Sequence, residues 1–536
     1  MAKSANETLL IQQKDTIAQL NMTIKVQSDL IASLQKSVDE QTLTIKNLNE
    51  QIEYLTKKLF GTSSEKSKTC DGQLSFFNEA ELETTEDILS EPIEVKSHKR
   101  KAKRTHEELF NKLPHREEVI PLPESERICD SCGTELEPIG KKFIRHEFRY
   151  TPAKGEVVDI YVETYKCPKC CEGYTPDEED KIVSSTAPKP LIQNSYASES
   201  SVAWTMYQKY SLALPLYRQE QYWSQLGVEL NRATLANWII RCAYDYFQPL
   251  YDFFHRKLVE REFLMADETR LQVLKEPNRA AESDSFMWLF RSGEDGLNPI
   301  ILYHYTETRA KFNAVQFLEG FSGYLETDGY QGYNNLPNVK RCTCWSHLRR
   351  YFVDAIPKGK STDYSLPAVQ AVAYCDKLFH YERKSKELGH SFEQRKAYRI
   401  KKELPVIESF YHWLDQQYPD KGSRLEKAVN YAQNRKDDAM TYLEDGRCSF
   451  HNNSSENAIR PFTVGRKNFL FSDTPKGATA SALCYTMVEM AKAYQIGVYQ
   501  YLSFVLSKRP SAEWSDDQFE TIAPWNKDVQ DACIES

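Results

Sequence analysis

Apolar residues recur with a period of three and a half over residues 9–60. Leu10, Ile17, Ile24, Ile31, Val38, Ile45, Ile52 and Leu59 fall on one heptad position. Gln13, Leu20, Gln27, Leu34, Gln41, Leu48 and Leu55 fall on the other. β-Branched residues at the first position with Leu at the second predict a parallel two-stranded coiled coil over residues 1–60, and the three Gln weaken it and can fix its register. A single amphipathic helix packed on its own protein is the alternative. Gly61 ends the pattern. Residues 79–94 then carry seven acids, and KSHKRKAKR at 96–104 carries six Lys or Arg. Neither stretch can bury a core, so residues 61–112 read as a flexible acidic and basic linker. Lys99, Arg100, Lys101, Lys103 and Arg104 could grip nucleic-acid phosphates, and would look the same as a solvated tether.

The period drops to two in KFIRHEFRYTPAKGEVVDIYVETY, which predicts a β-hairpin. It lies between CDSC (Cys129, Cys132) and CPKC (Cys167, Cys170). Two CxxC pairs can supply four thiolates to one closed tetrahedral Zn2+, a structural site because no position is left open. Residues 113–185 therefore read as a zinc-binding domain. Four free cysteines, or Cys171 in place of Cys170, are the alternatives. Residues 186–255 read as helical. LPLYRQEQYWSQLGVELNRATLANWI predicts a helix, a turn at Gly227 and a second helix opening near Asn231, which is helix-turn-helix spacing. Arg232 and Asn237 on the second helix are candidate DNA contacts, although many helical hairpins bind no DNA.

From residue 263 the pattern is that of strands. EFLMADETRLQVL reads as an apolar strand running into Asp267 and followed by a second strand; SFMWLFRS and PIILYHYT come next. KFNAVQFLEGF then reads as a crossing helix, GYLETDGYQGY as a strand ending at Asp328, and VKRCTCWSHLRRYFVDA as a strand feeding a helix. This order is the topology of a ribonuclease-H-like α/β domain, placed at 256–475, which sets two aspartates side by side at the middle of its sheet. Between Asp328 and Glu456 lie 127 residues, more than such a domain needs. A helical insertion at about 360–447 accounts for the excess, with LPAVQAVAYCDKLFHYERKSKEL, FEQRKAYRIKKELPVIESFYHWLDQQY and SRLEKAVNYAQNR as its helices. Residues 476–536 form a C-terminal helical segment.

Composition narrows the functional classes. The chain has 536 residues, 27% charged and 40% hydrophobic, with a net charge of −8. That is a multidomain globular composition without the overall basic field of many nucleic-acid binders, so any such contact must be local. No apolar run is long enough to span a membrane. MAKSANETLL lacks the layout of a signal peptide, and the mostly scattered cysteines fit a reducing cytoplasm better than a disulfide framework.

HNNSSENAIRPFTVGRKNFLFS, from His451 to Ser472, supplies the third acid, Glu456. Asn452, Asn453, Ser454 and Ser455 are good caps for a helix that carries it. Arg460 follows one turn on, and Arg466 and Lys467 come next, where they could hold phosphates. Three carboxylates, Asp267, Asp328 and Glu456, can hold two Mg2+ (or Mn2+) ions for phosphodiester cleavage, one ion at the attacking oxygen and one at the leaving oxygen. Taken singly, each acid could equally cap a turn or complement a helix dipole.

MADETRLQVL, TDGYQGYN, CWSHLRRYFVDA and NNSSENAIRPFTVGRKNFLFS, in that order, resemble the insertion sequence sixty-six family of bacterial DDE transposases. The CPKC segment, PLYRQEQYWSQLGVELNRATLANWI, KLFGTSSEKS, GATASALCYTMVEMAKAYQIGVYQYLSFVL and APWN are similar to it as well, so the resemblance covers nearly the whole chain. It implies catalytic Asp267, Asp328 and Glu456, dependence on Mg2+, binding to terminal inverted repeats and target DNA, and strand cleavage followed by strand transfer. Small accessory proteins of the same element are implied partners, beside a homodimer or higher oligomer through the coiled coil. Where the family has His-Ala-Arg-Arg, this chain has His347, Leu348, Arg349 and Arg350, a departure that leaves the acids untouched; His347, Arg349 and Arg350 join the candidate DNA contacts. A catalytically silent DNA-binding protein on the same scaffold, or another ribonuclease-H-like nuclease, are the competing readings.

Overall fold

The computed structural model describes residues 189–534, two short strands, and scattered helical positions between Met22 and Ile45. Most of the heptads, the basic run at 96–104 and the four CxxC cysteines lie outside the described residues. Of the heptad seam, Ile24, Gln27, Ile31, Leu34, Val38, Gln41 and Ile45 are described, and all seven are exposed. The strands are β1 (Thr164–Lys166) and β2 (Ile182–Ser184), which pair antiparallel with Tyr165 opposite Val183. The Cys167–Cys170 pair therefore lies in the connection between two paired strands. The earlier strand of the expected hairpin is outside the described residues.

The chain divides into two units. The first stretch of the helical unit holds α1 (Glu199–Tyr210), α2 (Leu216–Gln225) and α3 (Arg232–Cys242), and a π turn at Ala243–Phe247 leads into α4 (Gln248–Val259). Local chemistry sets the boundaries. Ser198 closes a capping box on α1. Gly227, at φ +83°, supplies the left-handed residue that ends the first helix of the hairpin. Asn231 Oδ1 accepts from the Thr234 N–H at 2.8 Å and opens α3. Helix, turn and second helix thus fall where the sequence pattern puts them.

The sheet unit starts from β3 (Phe263–Gln272), β4 (Asp284–Ser292) and β5 (Ile301–Thr306), continues through α5 (Lys311–Phe317), β6 (Gly323–Thr327) and β7 (Val339–Thr343), and enters α6 (Trp345–Asp354). The five strands form one mixed sheet in the order β5-β4-β3-β6-β7. β3, β4 and β5 are antiparallel neighbours, while β6 and β7 run parallel to β3. β3 does not stop at Asp267 with a second strand after it. It is one strand, because its pairing with β4 continues from Leu264 opposite Ser292 to Gln272 opposite Asp284.

The insertion consists of α7 (Pro367–Glu387), α8 (Phe392–Lys402), α9 (Leu404–Leu414), α10 (Arg424–Asn434) and the short α11 (Lys436–Met440). The stretch 392–418 is two helices, broken at Glu403. Pro405, lacking an N–H, is tolerated in the first turn of α9 and not inside a continuous helix. The insertion packs Leu378, Ile407, Phe410, Leu414 and Val429 with Trp345, Leu348 and Phe352 of α6 into one core. α12 (Asn453–Phe469) follows. The helical unit is completed by α13 (Pro475–Ala493), α14 (Val498–Lys508), α15 (Asp516–Glu520) and α16 (Lys527–Ala532). α13 is buried along most of its length, and Arg509 at the end of α14 pairs with Glu199 of α1 at 2.7 Å.

Candidate active site

The register of the parallel strands brings two of the three acids together. Phe263 lies beside Tyr324 and Met265 beside Glu326, so the same offset carried two residues further sets Asp267 beside Asp328. β6 and β7 continue the row: Thr327 lies beside Thr343, and the next residues are Asp328 and Cys344. Neighbouring strands are about 4.8 Å apart, which puts these side chains within reach of one another at the carboxyl ends of the strands.

The loop after β6 is fixed from below. Arg341 of β7 donates to Thr327 Oγ1 at 2.8 Å, to the Tyr330 carbonyl at 3.0 Å, and to the Asp328 carbonyl and Asn334 Oδ1. Arg435 adds bonds to Asn334 Oδ1 at 2.7 Å and the Gly329 carbonyl at 2.8 Å. Asp328 Oδ1 accepts the Tyr330 N–H at 2.8 Å. A Cβ at Gly329 would lie 2.2 Å from the Tyr431 ring, so the turn needs glycine there.

Glu456 reaches the site because the start of α12 is tied to three strands. Asn452 Nδ2 donates to the Ala266 carbonyl of β3 at 3.1 Å, Arg291 of β4 donates to the Ser454 carbonyl at 2.9 Å, and the Tyr303 hydroxyl of β5 donates to the Ala458 carbonyl. The Asn452 side chain thus anchors the helix to the sheet, where a cap was expected. Glu456 is 3% exposed, and no hydrogen bond reaches either of its carboxylate oxygens. Its Oε1 lies 3.4 Å from Nδ1 of His347 on α6.

The electrostatics follow from this crowding. Burial pushes the Asp267 carboxyl well above the ordinary carboxylate range, and Glu268, Glu456 and Asp328 push it the same way. Burial raises Glu456 to about 8; Arg350 opposes the shift and Asp328 adds to it. His347 is lowered to about 4, chiefly by burial. Asp328 thus acts on both of the other acids, and the nearby positive charges are Arg350, which acts on Glu456, and Arg309, 3.9 Å from Asp328 Oδ2. Carboxylate oxygens are hard ligands of the kind that suits a divalent cation such as Mg2+.

The other expected site residues fall in different surroundings. Arg350 is half-buried and close enough to Glu456 to act on its charge. Arg349 is 5% exposed and donates Nε to Asp376 of α7 at 2.6 Å, so its guanidinium fastens the insertion to α6 rather than facing solvent. Arg460 lies one turn beyond Glu456 and is half-buried. Arg466 and Lys467 sit in the last turn of α12, in the part of the chain assigned to the helical unit, with Lys467 exposed. Arg232 and Asn237 are exposed on α3, whose other face buries Leu235, Trp238 and Ile239.

Sequence reading passed over four residues here. Glu268, beside Asp267, is deeply buried and accepts from Arg309 Nε at 2.6 Å and from the Tyr333 hydroxyl. Arg309 also lies 3.9 Å from Asp328 Oδ2 and stacks 3.5 Å from the centre of the Tyr330 ring. Nothing local in the sequence marks Arg309 or Tyr333. The fourth, Cys344, had a signal in the CxxH spacing of Cys344 and His347.

Comparison with known proteins bears on this arrangement. The model of a family described as Transposase IS66 family matches residues 194–480, more than half of the chain and a span holding all three acids. A zinc-finger binding domain of transposase IS66 matches residues 126–171, which include the four paired cysteines. A model described as Transposase C of IS166 homeodomain matches residues 47–119. Uncharacterized protein y4qI of Sinorhizobium fredii is 29% identical over 98% of this chain and 94% of its own length. Uncharacterized protein y4jD of the same organism is 26% identical over 92% of this chain and 97% of its own length.

Proposed function

The chain belongs to the IS66 family of transposases, and from that premise we propose that it is a DNA transposase whose catalytic acids are Asp267, Asp328 and Glu456. The observation that carries the reading is the meeting of these acids, two at neighbouring parallel strand ends and one on a helix tied across the same sheet, with both oxygens of the buried Glu456 lacking donors. The strand order β5-β4-β3-β6-β7, with its first three strands antiparallel, supports a ribonuclease-H-like domain as the scaffold.

Two Mg2+ (or Mn2+) ions held by the three carboxylates would supply an activated oxygen nucleophile and neutralise charge on the phosphate under attack. The chain itself sets the geometry. Arg341 and Arg435 fix the Asp328 turn, Asn452 and Arg291 fix the Glu456 helix, and His347 and Arg350 stand beside Glu456, where they can meet the DNA backbone. Arg460, Arg466, Lys467, Arg232, Asn237 and the basic run Lys99–Arg104 are the further DNA contacts of this reading, which spreads recognition of terminal repeats and target over several modules. Cys129, Cys132, Cys167 and Cys170 would hold one structural Zn2+. The exposed heptad seam would bring two chains, and so two element ends, together. Among the described residues no helix is long and apolar enough to cross a membrane.

The test is cleavage and joining of the element's terminal DNA with Mg2+ or Mn2+, comparing wild type with Glu456→Gln. Metal-dependent joining that disappears in the variant is expected. End binding without joining by either protein, even with the element's accessory proteins added, would favour a silent DNA-binding protein instead.

A further inference from the structure

The row of residues across the strand ends does not stop at the acids. Its third member is Cys344, the residue after β7 and the last before α6. Three residues on, one turn into α6, comes His347. The Cys344 Sγ, a His347 ring nitrogen and a Glu456 carboxylate oxygen lie within 4.8 Å of one another, the one such group of three metal-ligating side chains among the described residues.

Each of the three is oriented by the fold. Cys344 is fully buried, and its Sγ accepts the Asn452 N–H at 3.1 Å, which orients it; burial and the Glu456 charge push the metal-free thiol up. Asn452 in turn is fastened to β3. His347 Nδ1 is buried, has no hydrogen-bond partner, and points at Glu456. Glu456 offers two oxygens without donors. Leaving such atoms unmatched is costly, and a bound cation would satisfy the His347 nitrogen and the Glu456 oxygens at once.

The geometry points to a second metal site at Cys344, His347 and Glu456, selective for a thiophilic divalent cation of the Zn2+ class. The donor set of one thiolate, one imidazole and one carboxylate is one that Zn2+ accepts and Mg2+ does not. Its two negative charges balance the ion, so the filled site is neutral, as burial demands. Zinc binding with release of the thiol proton leaves every atom accounted for: the proton goes to solvent as the Sγ–metal bond forms. Tetrahedral zinc ligands stand about 3.5 Å apart, so the present separations need only small side-chain rotations. Three protein ligands leave the fourth position of a tetrahedral ion open to water. The binding claim stands without the transposase reading. Its consequence rests on that reading: an ion held here takes Glu456 away from Asp267 and Asp328 and so suppresses Mg2+-dependent joining.

The experiment is zinc content by elemental analysis of the purified full-length chain, loaded with Zn2+ and desalted, for wild type, Cys344→Ser and His347→Gln. Each variant should hold one equivalent less than wild type, the ion of the N-terminal cysteines being common to all three. Co2+ loading should give a thiolate-to-cobalt charge-transfer band whose wild-type excess over Cys344→Ser marks this site. If Cys344→Ser fails to fold, His347→Gln carries the test, since the His347 side chain, at 23% exposed, is the least buried of the three ligands and Gln is close to it in size. Equal zinc content in wild type and a folded variant would overturn the site. The readout is independent of joining, so a protein that takes up the ion here, yet still joins no ends with Mg2+ once that ion has been removed, would count against the transposase reading alone.

Discussion

The sheet unit buries carboxylates in several places, and two of them are handled in opposite ways. In the insertion, Arg399 is 1% exposed and grips Glu382 with two bonds of 2.6 and 2.9 Å. Its remaining donors reach the carbonyls of Tyr442, Asp445 and Cys448. Glu403, also fully buried, accepts from the Tyr442 hydroxyl at 2.6 Å. At the strand ends, Asp267, Asp328 and Glu456 crowd one another, and no hydrogen bond reaches the Glu456 oxygens. The first cluster pairs its Glu382 charge with Arg399 and holds α7, α8 and the segment before α12 together, leaving Oε1 of Glu403 without a hydrogen bond. The second is incomplete in a way that a cation would correct. Burial alone separates nothing here; the distinction lies in whether each buried charge already has its partner.

The largest expected effect breaks that contrast on the functional side. Asp267→Asn, Asp328→Asn and Glu456→Gln should each abolish strand transfer while terminal DNA is still bound. Because each removes a charge from a repulsive group, the metal-free protein should lose no thermal stability. Residual transfer in any of them, or a marked fall in melting temperature, would show that the acids are structural.

On the structural side, Arg399→Met strands Glu382 and three carbonyls without their donor. The loss should be roughly 3–5 kcal/mol in denaturant unfolding, the usual cost of leaving a buried ion without its partner. A near-neutral result would mean that the insertion repacks around the gap. A smaller effect is expected from Asn452→Ala, which removes the bond to the Ala266 carbonyl. The stability loss should be about 1–3 kcal/mol. Joining should fall by more than binding, because Glu456 loses its register on β3; equal falls in both would assign Asn452 to packing only.

How much of this could be read from the chain follows from the range of each interaction. The strands, the crossing helix and the helical hairpin rest on local periodicity, turn glycines and caps such as Asn231, and they fall where the pattern puts them, except that β3 is one strand where two were expected. Asp267 and Asp328 were legible because strand order and strand ends were legible. Glu456 was legible only through its capping context and the family resemblance, since 127 residues separate it from Asp328. The break at Glu403 was missed because the apolar pattern runs through it, although Pro405 marks it. Arg399 with Glu382, and Arg309 with Glu268, pair residues far apart in sequence, and nothing local announces a partner. Arg349 was misplaced for the same reason: an arginine beside a histidine on an amphipathic helix looks solvent-facing until Asp376 of another helix claims it.

The smallest effect tests the Arg399 cluster by its proton. Burial, with Glu382 beside it, raises Glu403 to about 9. Burial pushes Glu382 upward too, but the charge and hydrogen bonds of Arg399 outweigh that and hold it below its ordinary value. The sign follows from linkage. The folded state keeps the Glu403 proton while the unfolded chain releases it above about 4.5, so this contribution to stability is fully present below that value and is lost as pH rises towards 9. Glu382 acts in the other direction and only at low pH, where protonation would break its pairing with Arg399. Glu403→Gln cannot ionise and keeps an acceptor for Tyr442, so its unfolding free energy should vary less between about pH 5 and 9 than that of wild type, which cannot fall more steeply from this group than about 1.4 kcal/mol per pH unit. Parallel curves for the two proteins would mean that Glu403 is ionised in the fold and that Arg399 is shared between two carboxylates, which would make its pairing with Glu382 less exclusive than its hydrogen bonds indicate.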